Sequence, residues 1–268
     1  MKNYKLIDTH CHLDIIEEQG LSIPESIQKA KEAGLEKMVQ IGINYETSVL
    51  AKDLSHQYAK EDVYYTIGCH PVYDIQEDES NKILGMIEKN VDDPRLVGVG
   101  EIGLDYYHKK SSPKSQMETF HKFLDISVTH KLPVIIHSRD AEEDTFQALS
   151  EYKGKAFGVI HCFTYNQEYA HKFMELGYYI SFSGIVSFKN ATDIHKAASS
   201  LPLESVLIET DSPFLTPPPF RGKRNDPSNL KYILERMFSL RDETNIEVEN
   251  KIFENSIKFI QRKAYYTC

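Results

Sequence analysis

Short apolar runs recur along the chain, and between them the apolar residues return at helical spacing. The runs are rich in β-branched and aromatic residues, which favour buried strands. Eight of them are predicted as strands: Leu6 to Leu13, Met38 to Ile43, Val63 to Cys69, Leu96 to Ile102, Pro133 to His137, Gly158 to Phe163, Tyr178 to Gly184 and Val206 to Thr210. Strands that alternate with amphipathic helices indicate repeated βα units and a parallel sheet.

Helix start signals fall between these runs. Pro24 opens the first predicted helix, and Ser112 with Pro113 provides an N-cap and a first-turn proline for a later one. Two further helical patterns, near Leu230 to Leu240 and Glu247 to Ile260, follow the eighth strand. Eight parallel strands in one domain favour a closed (β/α)8 barrel of the TIM type with extra C-terminal helices. A doubly wound open sheet is the structural alternative.

The composition fits one ordinary globular domain. The chain has 268 residues, of which 41% are hydrophobic and 26% charged, which excludes disordered, collagen-like and disulfide-rich classes. No linker or low-complexity tract divides residues 1–268, so we expect a single domain. The sequence has no run of about 18 apolar residues, and Asp8 interrupts any signal-peptide core. We therefore expect a cytoplasmic protein without a membrane partner, whose four cysteines, Cys268 included, are thiols.

The charge balance restricts how a phosphate-bearing substrate could be held. The chain carries 31 Lys and Arg against 40 Asp and Glu, a net charge of -9, whereas a generic coat for nucleic acid is basic. Phosphates must therefore be held locally, by a metal or a small basic loop. Arg221, Lys223 and Arg224 follow the eighth strand and are the candidate phosphate contacts. The alternative is a solvated loop.

Histidines and carboxylates stand directly after several apolar runs, where the strands of a parallel barrel carry their catalytic groups. His10 and His12 lie two residues apart on one strand, so both imidazoles point to the same side. A buried histidine or acid needs a partner, and several on one rim would satisfy one another best through metal ions. The predicted metal ligands are His10, His12, Glu101, His137, His161 and Asp211.

Glu101 lies in a segment that spells the dinucleotide fingerprint, Gly98-Val99-Gly100-Glu101-Ile102-Gly103. That fingerprint requires a helix to open at its last glycine, but here the chain runs on to Pro113 before a helix is signalled. We therefore reject it and expect no organic cofactor. A carboxylate between glycines at a strand end is better explained as a bridge between two cations, and an ion pair with Arg139 or a lysine is the alternative.

Four histidines with two carboxylates suit zinc or manganese and leave magnesium open. The number of ligands predicts two divalent ions, about 3.5 to 4 Å apart, which would activate a water molecule. Glu101 and Asp211 are the candidate catalytic residues, and Asp211 could also take the proton from that water. The candidate substrate contacts beside them are His70, Asp105 and Arg139, each with a structural alternative, and His108 is left undecided.

The cysteines do not favour a structural Cys/His zinc site. Such sites use close Cys-x2-4-Cys spacing, which is absent here. Strand alternation also turns Cys11 and Cys162 away from the neighbouring histidines.

Together these segments resemble the TatD family of metal-dependent deoxyribonucleases, within the amidohydrolase-like superfamily. The segments are Ile7 to His12, Gly68 to Pro71, Gly100 to Asp105, Ile136-His137, His161 to Phe163, Glu209 to Pro213 and Arg221 to Asn225. The resemblance implies that Glu101 holds both ions. It further implies one site completed by His10, His12 and Asp211, a second completed by His137 and His161, and hydrolysis of DNA phosphodiesters by a metal-activated water.

Two rival functions use the same residues. A carboxyl-ester or amide hydrolase, such as a D-aminoacyl-tRNA deacylase, would keep the site and change the bond, because one fold and site can serve several reactions. A metal-holding interaction protein is the non-enzymatic rival. The sequence leaves open the natural substrate, exonuclease or endonuclease action, the metal and the oligomeric state.

Overall fold

The computed structural model describes residues 4–73 and 76–263, and Cys268 lies outside them. Eight strands form one parallel sheet in chain order. They are β1 (Leu6–Cys11), β2 (Leu35–Gln40), β3 (Val63–Ile67), β4 (Leu96–Asp105), β5 (Val134–Arg139), β6 (Gly158–Ile160), β7 (Tyr178–Phe182) and β8 (Val206–Ile208). Each strand coincides with one of the eight predicted runs, with ends shifted by a few residues.

Backbone hydrogen bonds between the end of β1 and the segment that follows β8 close the sheet. Asp211 N donates to His10 O at 3.0 Å, and His12 N donates to Ser212 O at 2.8 Å. A parallel bridge also links Cys11 with Ser212. The predicted (β/α)8 barrel is confirmed, and the open-sheet alternative is wrong.

Helices connect the strands around the outside of the barrel. They are α1 (Leu13–Glu18), α2 (Ile23–Glu32), α3 (Tyr45–Gln57), α4 (Glu77–Asn90), α5 (Pro113–His130), α6 (Glu142–Glu151), α7 (Gln167–Glu175), α8 (Thr192–Ser200), α9 (Leu230–Leu240) and α10 (Asn245–Ile260). Single 3-10 turns lie at Ala59–Glu61, Gly184–Ser187, Leu203–Ser205 and Pro227–Asn229. None of the described helices is long and apolar enough to cross a bilayer.

Local signals account for the helix ends. The Ser112 hydroxyl accepts from Ser115 N at 3.2 Å and caps α5, as the sequence predicts. Thr244 and Glu247 form a capping box, so α10 begins two residues before the predicted Glu247. The first helix of the chain is α1 and not the helix that Pro24 opens, because Leu13 begins a helix where the sequence analysis continued the first strand.

The barrel interior is filled with side chains at its amino-terminal end. The inner cluster combines strand residues with the last turn of α10: Ile7, Val39, Val97, Ile135, Val159, Tyr179, Leu207, Phe259 and Ile260. A larger cluster packs the helices against the outer strand faces. Because one end is packed with apolar side chains, the polar residues at the carboxyl ends of the strands lie on the open face.

Two of the strands that carry predicted metal ligands have irregular geometry. The pairing register shifts between Asp8 and Cys11 on β1 and between Val99 and Ile102 on β4. Such irregularities commonly re-aim side chains beside functional sites. At Gly68 an added Cβ would lie 2.2 Å from Glu101 N, so only glycine lets the chain approach Glu101 this closely.

Candidate metal centre

Glu101 lies at the centre of the open face, and its two carboxylate oxygens face different imidazoles. Oε1 is 2.8 Å from His161 Nε2 and 3.0 Å from His137 Nδ1. Oε2 is 3.4 Å from His10 Nε2. Because the Glu101 side chain is almost completely buried, this arrangement fixes which oxygen serves which group of histidines.

The histidines form two pairs whose ring nitrogens face each other. His10 Nε2 lies 3.3 Å from His12 Nε2, and His137 Nδ1 lies 3.4 Å from His161 Nε2. Asp211 Oδ1 lies 3.6 Å from His10 Nε2 and 3.7 Å from His12 Nε2. Neutral imidazole lone pairs that converge in this way suit a cation between them, and the donor set of nitrogen and carboxylate oxygen suits a transition metal.

Three groups of residues could each hold an ion. In each group one potential ligand atom per residue lies within 4.8 Å of the others. The groups are His10, His12 and Asp211; His10, Glu101 and His161; and His70, Glu101 and His137. The structure thus brings all six predicted ligands together and adds His70 to the set.

Hydrogen bonds on the far side of two rings determine which nitrogen is free for a metal. His137 Nε2 lies 3.2 Å from Asp105 Oδ2, and His161 Nδ1 lies 3.1 Å from Glu209 Oε1. Each of these outer carboxylates can hold the proton on the ring nitrogen beside it, so that with a cation bound the opposite nitrogen would offer its lone pair. Asp105 and Glu209 therefore expose His137 Nδ1 and His161 Nε2 towards Glu101.

Glu209 lies behind His161, and the sequence predicts no role for it. Its carboxylate is buried and also accepts from Cys162 N at 2.6 Å and from the Ser181 hydroxyl at 2.7 Å. Burial would raise the pKa of the Glu209 carboxyl, but the hydrogen bond and charge of His161 hold that pKa below its usual range. The sequence does contain one signal for this role, because Glu209 is an acidic residue inside the apolar run that precedes Asp211.

Replacing Glu209 with glutamine should weaken metal binding by about 10- to 100-fold, the usual effect of losing a partner behind a ligand. The carboxylate of Glu209 faces three hydrogen-bond donors, on His161, Cys162 and Ser181. The glutamine amide would turn its own N–H towards one of them, and we expect the His161 ring to be less well oriented as a result. Competition with a chelating dye measures the affinity. The control is Glu204→Gln, at an exposed acid that forms a long ion pair with Lys251 at 3.9 Å. Unchanged affinity in Glu209→Gln would rule out this orienting role.

Asp8 holds the first and last strands in register beside the ligands. Its Oδ1 accepts from Thr210 N at 2.9 Å and from His10 N at 3.3 Å, and its Oδ2 accepts from the Thr210 hydroxyl at 2.5 Å. Burial raises the pKa of Asp8 to about 7, although the hydrogen bonds from Thr210 oppose that rise. Asp8 thereby fixes the backbone that carries His10 and Asp211.

Charges inside the centre are balanced between acids and imidazoles. Burial would raise the pKa of Glu101, but His161 and His70 hold it well below its usual range. Burial would lower the pKa of His161, but Glu101 and Glu209 hold it well above its usual range. Burial raises the pKa of Asp211 well above its usual range, and the negative charges of Glu101 and Glu209 add to that rise, so that the opposing charges of His161 and His137 do not offset it.

His70 differs from the other histidines in the nitrogen that it presents. Val72 N donates to His70 Nδ1 at 3.0 Å, so Nδ1 is an acceptor and the neutral ring carries its proton on Nε2. That Nε2 lies 3.1 Å from Glu101 Oε1. A protonated ring nitrogen has no lone pair for a metal. His70 is therefore placed as a hydrogen-bond donor at the centre, and its predicted contact with the substrate stays a prediction.

A cavity of about 1040 Å³ opens over these groups, and several of the predicted residues line it. Arg139 lies at the cavity edge, where its guanidinium stacks 3.9 Å from the Tyr107 ring centroid. No described carboxylate forms an ion pair with Arg139. The charge is held in place by the ring and remains free to meet an anion, as a substrate contact would require.

Two other predicted substrate contacts have different surroundings. Asp105 is buried, and His108 Nδ1 approaches its Oδ2 at 2.7 Å, so both Asp105 oxygens are occupied by His108 and His137. The structure therefore places Asp105 behind His137.

Arg224 donates to Gln19 O at 2.5 Å beside the end of α1, whereas Arg221 and Lys223 remain exposed.

The cysteines near the ligands belong to none of the three candidate groups. Cys11 is buried, with Sγ 3.4 Å from Val39 O. Strand β6 ends at Ile160, so strand alternation does not reach Cys162, which lines the cavity with Sγ 3.2 Å from the Ser183 hydroxyl.

Cys11→Ser and Cys162→Ser should both keep the wild-type metal stoichiometry, because neither thiol is placed as a ligand. Cys11→Ser should lower the melting temperature, since Cys11 is completely buried in the apolar cluster outside the barrel strands and a hydroxyl is more polar than the thiol that it replaces. Metal analysis by mass spectrometry and thermal unfolding measure the two effects. Loss of metal from folded Cys11→Ser protein would show that the β1 register differs from the one described.

A barrel whose strand ends converge on buried histidines and two carboxylates is the architecture of a metal-dependent hydrolase. The family model described as TatD related DNase matches residues 7–261. The chain therefore belongs to the TatD family.

Relatives of similar length support this assignment. The uncharacterized metal-dependent hydrolase YabD of Bacillus subtilis is 38% identical over 252 residues, which cover 94% of this chain and 97% of YabD. The uncharacterized metal-dependent hydrolase YcfH of Escherichia coli K12 is 35% identical over 244 residues, 88% of each chain. The crystal structure of YjjV, a TatD homologue from E. coli K12, superposes with a TM-score of 0.87 at 26% identity, covering 96% of this chain and 98% of YjjV.

Proposed function

We propose that this hydrolase cleaves phosphodiester bonds in DNA at a centre of two divalent cations. The observation that carries the proposal is that the two carboxylate oxygens of Glu101 face different histidines. Oε2 faces His10, and Oε1 faces His137 and His161. One site would use His10, His12, Asp211 and Oε2, and the other would use His137, His161 and Oε1. Two bound cations supply hydroxide near neutral pH and neutralise charge on phosphoryl oxygens.

Residues of the chain would supply the remaining functions. His70 Nε2–H is aimed at the centre and can donate to an oxygen on which negative charge develops. Arg139 at the cavity edge can bind a phosphate oxygen. The Asp211 carboxylate, beside the first histidine pair, is the proposed acceptor of the proton from the attacking water. This distribution of donors and cations favours an anionic phosphodiester.

The test is a substrate panel on protein purified without chelator. Labelled DNA, RNA, D-aminoacyl-tRNA, a carboxyl ester and a cyclic amide are incubated with the protein before and after chelation. We expect metal analysis to give two ions per chain, and we expect DNA cleavage that EDTA abolishes and that manganese, zinc or magnesium restores. If protein with its full complement of metal hydrolyses the ester or the amide and leaves the DNA uncleaved, the protein is a carboxyl-ester or amide hydrolase and the proposal is wrong.

A further inference from the structure

A cationic and aromatic surface borders the metal centre and includes Arg221 and Lys223, two of the phosphate contacts that the sequence predicts. It consists of Phe188, Phe220, Arg221, Lys223, Lys231 and Tyr232, and we name it the Phe220 face. Phe188 follows the 3-10 turn after β7, Phe220 to Lys223 lie in the loop between β8 and α9, and Lys231 with Tyr232 lies in the first turn of α9. The same two loops supply Ile185, Phe214 and Leu215 to the cavity wall, so the face continues from the cavity.

Each cation of the Phe220 face is held over an aromatic ring. The Arg221 guanidinium lies 4.4 Å from the Phe188 centroid, and Lys231 Nζ lies 5.1 Å from the Tyr232 centroid. Lys223 Nζ lies 5.9 Å from the Phe220 centroid. The Phe220 and Tyr232 rings contact each other edge to face at 5.5 Å. Rings hold a cation without neutralising it, so the charges are positioned and available.

The three cations have no acidic partner. Within residues 4–73 and 76–263, no carboxylate forms an ion pair with Arg221, Lys223 or Lys231, although the chain carries 40 acids and a net charge of -9. By contrast, Arg224 of the same loop donates to Gln19 O and does not join the face. An unneutralised group of cations at the edge of a metal centre is complementary to a ligand with several negative charges.

We propose that the Phe220 face binds phosphates of the nucleic-acid strand that flanks the cleaved bond. This inference rests on the proposed function, because it needs a polymeric phosphodiester at the metal centre. Cations at the centre neutralise the phosphate that is cleaved, and its neighbours need separate donors. The face supplies three of them on one side of the cavity. It therefore determines how affinity grows with strand length and how it falls with salt.

The test compares Arg221→Ala/Lys223→Ala with Lys153→Ala/Lys155→Ala. Lys153 and Lys155 are exposed in the loop between α6 and β6, at the opposite end of the barrel, so the control removes the same charge. Cleavage is measured on a single-stranded DNA 20-mer and on the small diester bis(p-nitrophenyl) phosphate. Binding to the metal-loaded protein is measured with a fluorescent phosphorothioate 20-mer. Thermal unfolding checks that all variants fold.

We expect the Arg221/Lys223 double variant to raise KM for the 20-mer roughly tenfold at about 0.1 M salt. The slope of log affinity against log salt should fall by about 0.7 for each lost contact. Turnover of the small diester should stay within about twofold of wild type, and the Lys153/Lys155 variant should match wild type on all three probes. Equal loss on the 20-mer and the small diester, or no loss on either, would overturn the proposal.

Binding separates this inference from the proposed function. If the wild-type protein binds the phosphorothioate 20-mer through the Phe220 face but cleaves no phosphodiester, the face stands and the proposed reaction fails. If it cleaves the small diester and the double variant binds the 20-mer as tightly as wild type, the reaction stands and the face fails.

Discussion

Glu101→Ala should abolish hydrolysis of DNA and remove most of the bound metal. The two oxygens of this carboxylate face separate histidine groups, and among the described residues no other carboxylate forms an ion pair with His137 Nδ1 or His161 Nε2. Without Glu101, that pair would have to hold a cation with neutral nitrogens alone. Loss of an outer partner costs about 10- to 100-fold, so loss of the shared ligand should cost more than about 100-fold in activity.

Metal analysis and initial rates on labelled DNA measure the effect of Glu101→Ala. The matched control is Glu142→Ala, because Glu142 lines the same cavity but belongs to none of the candidate metal groups. The control should keep its metal and stay within about twofold of wild-type activity. A folded Glu101→Ala protein with full metal occupancy and more than a tenth of wild-type activity would show that the carboxylate does not bridge.

The barrel could be predicted because each strand is a compact apolar run between helical patterns. The strand ends could not, since they depend on neighbouring strands. β4 extends to Asp105 because it pairs with β5 as far as Arg139. β6 and β8 are only three residues long, so His161 and Asp211 lie beyond the ladders that position them. Six-residue α1 was missed because Leu13 continues the apolar pattern of β1.

The convergence of the six predicted ligands could be foreseen from their positions at strand ends, but the orientation of each ring could not. Orientation depends on partners distant in sequence, such as Glu209, which lies 48 residues from His161. Asp8 and Thr210 are 202 residues apart, and their contact sets the backbone between His10 and Asp211. A run of charged residues likewise does not reveal where each side chain points. Arg224 donates to the carbonyl of Gln19, 205 residues away, whereas Arg221 does not.

Replacement of His70 should separate chemistry from metal binding. Because Val72 N fixes the proton on Nε2, His70→Ala should remove a donor and no ligand. Removing one preorganised donor to developing negative charge costs about 10² to 10³-fold in kcat. We therefore expect a loss of that size with metal content unchanged. His70→Gln places an amide N–H near the same position and should recover part of the loss, which a ring needed only for packing would not allow.

Metal stoichiometry decides between the two roles that the geometry offers His70. It belongs to one of the three candidate groups, with Glu101 and His137, so distance alone would permit ligation. Ligation through Nε2 would require the proton on Nδ1, where the N–H of Val72 already points. If His70→Ala loses one equivalent of metal, the ring has the opposite tautomer and His70 is a ligand. If it keeps both ions and loses kcat with little change in KM, His70 acts on the substrate during the reaction.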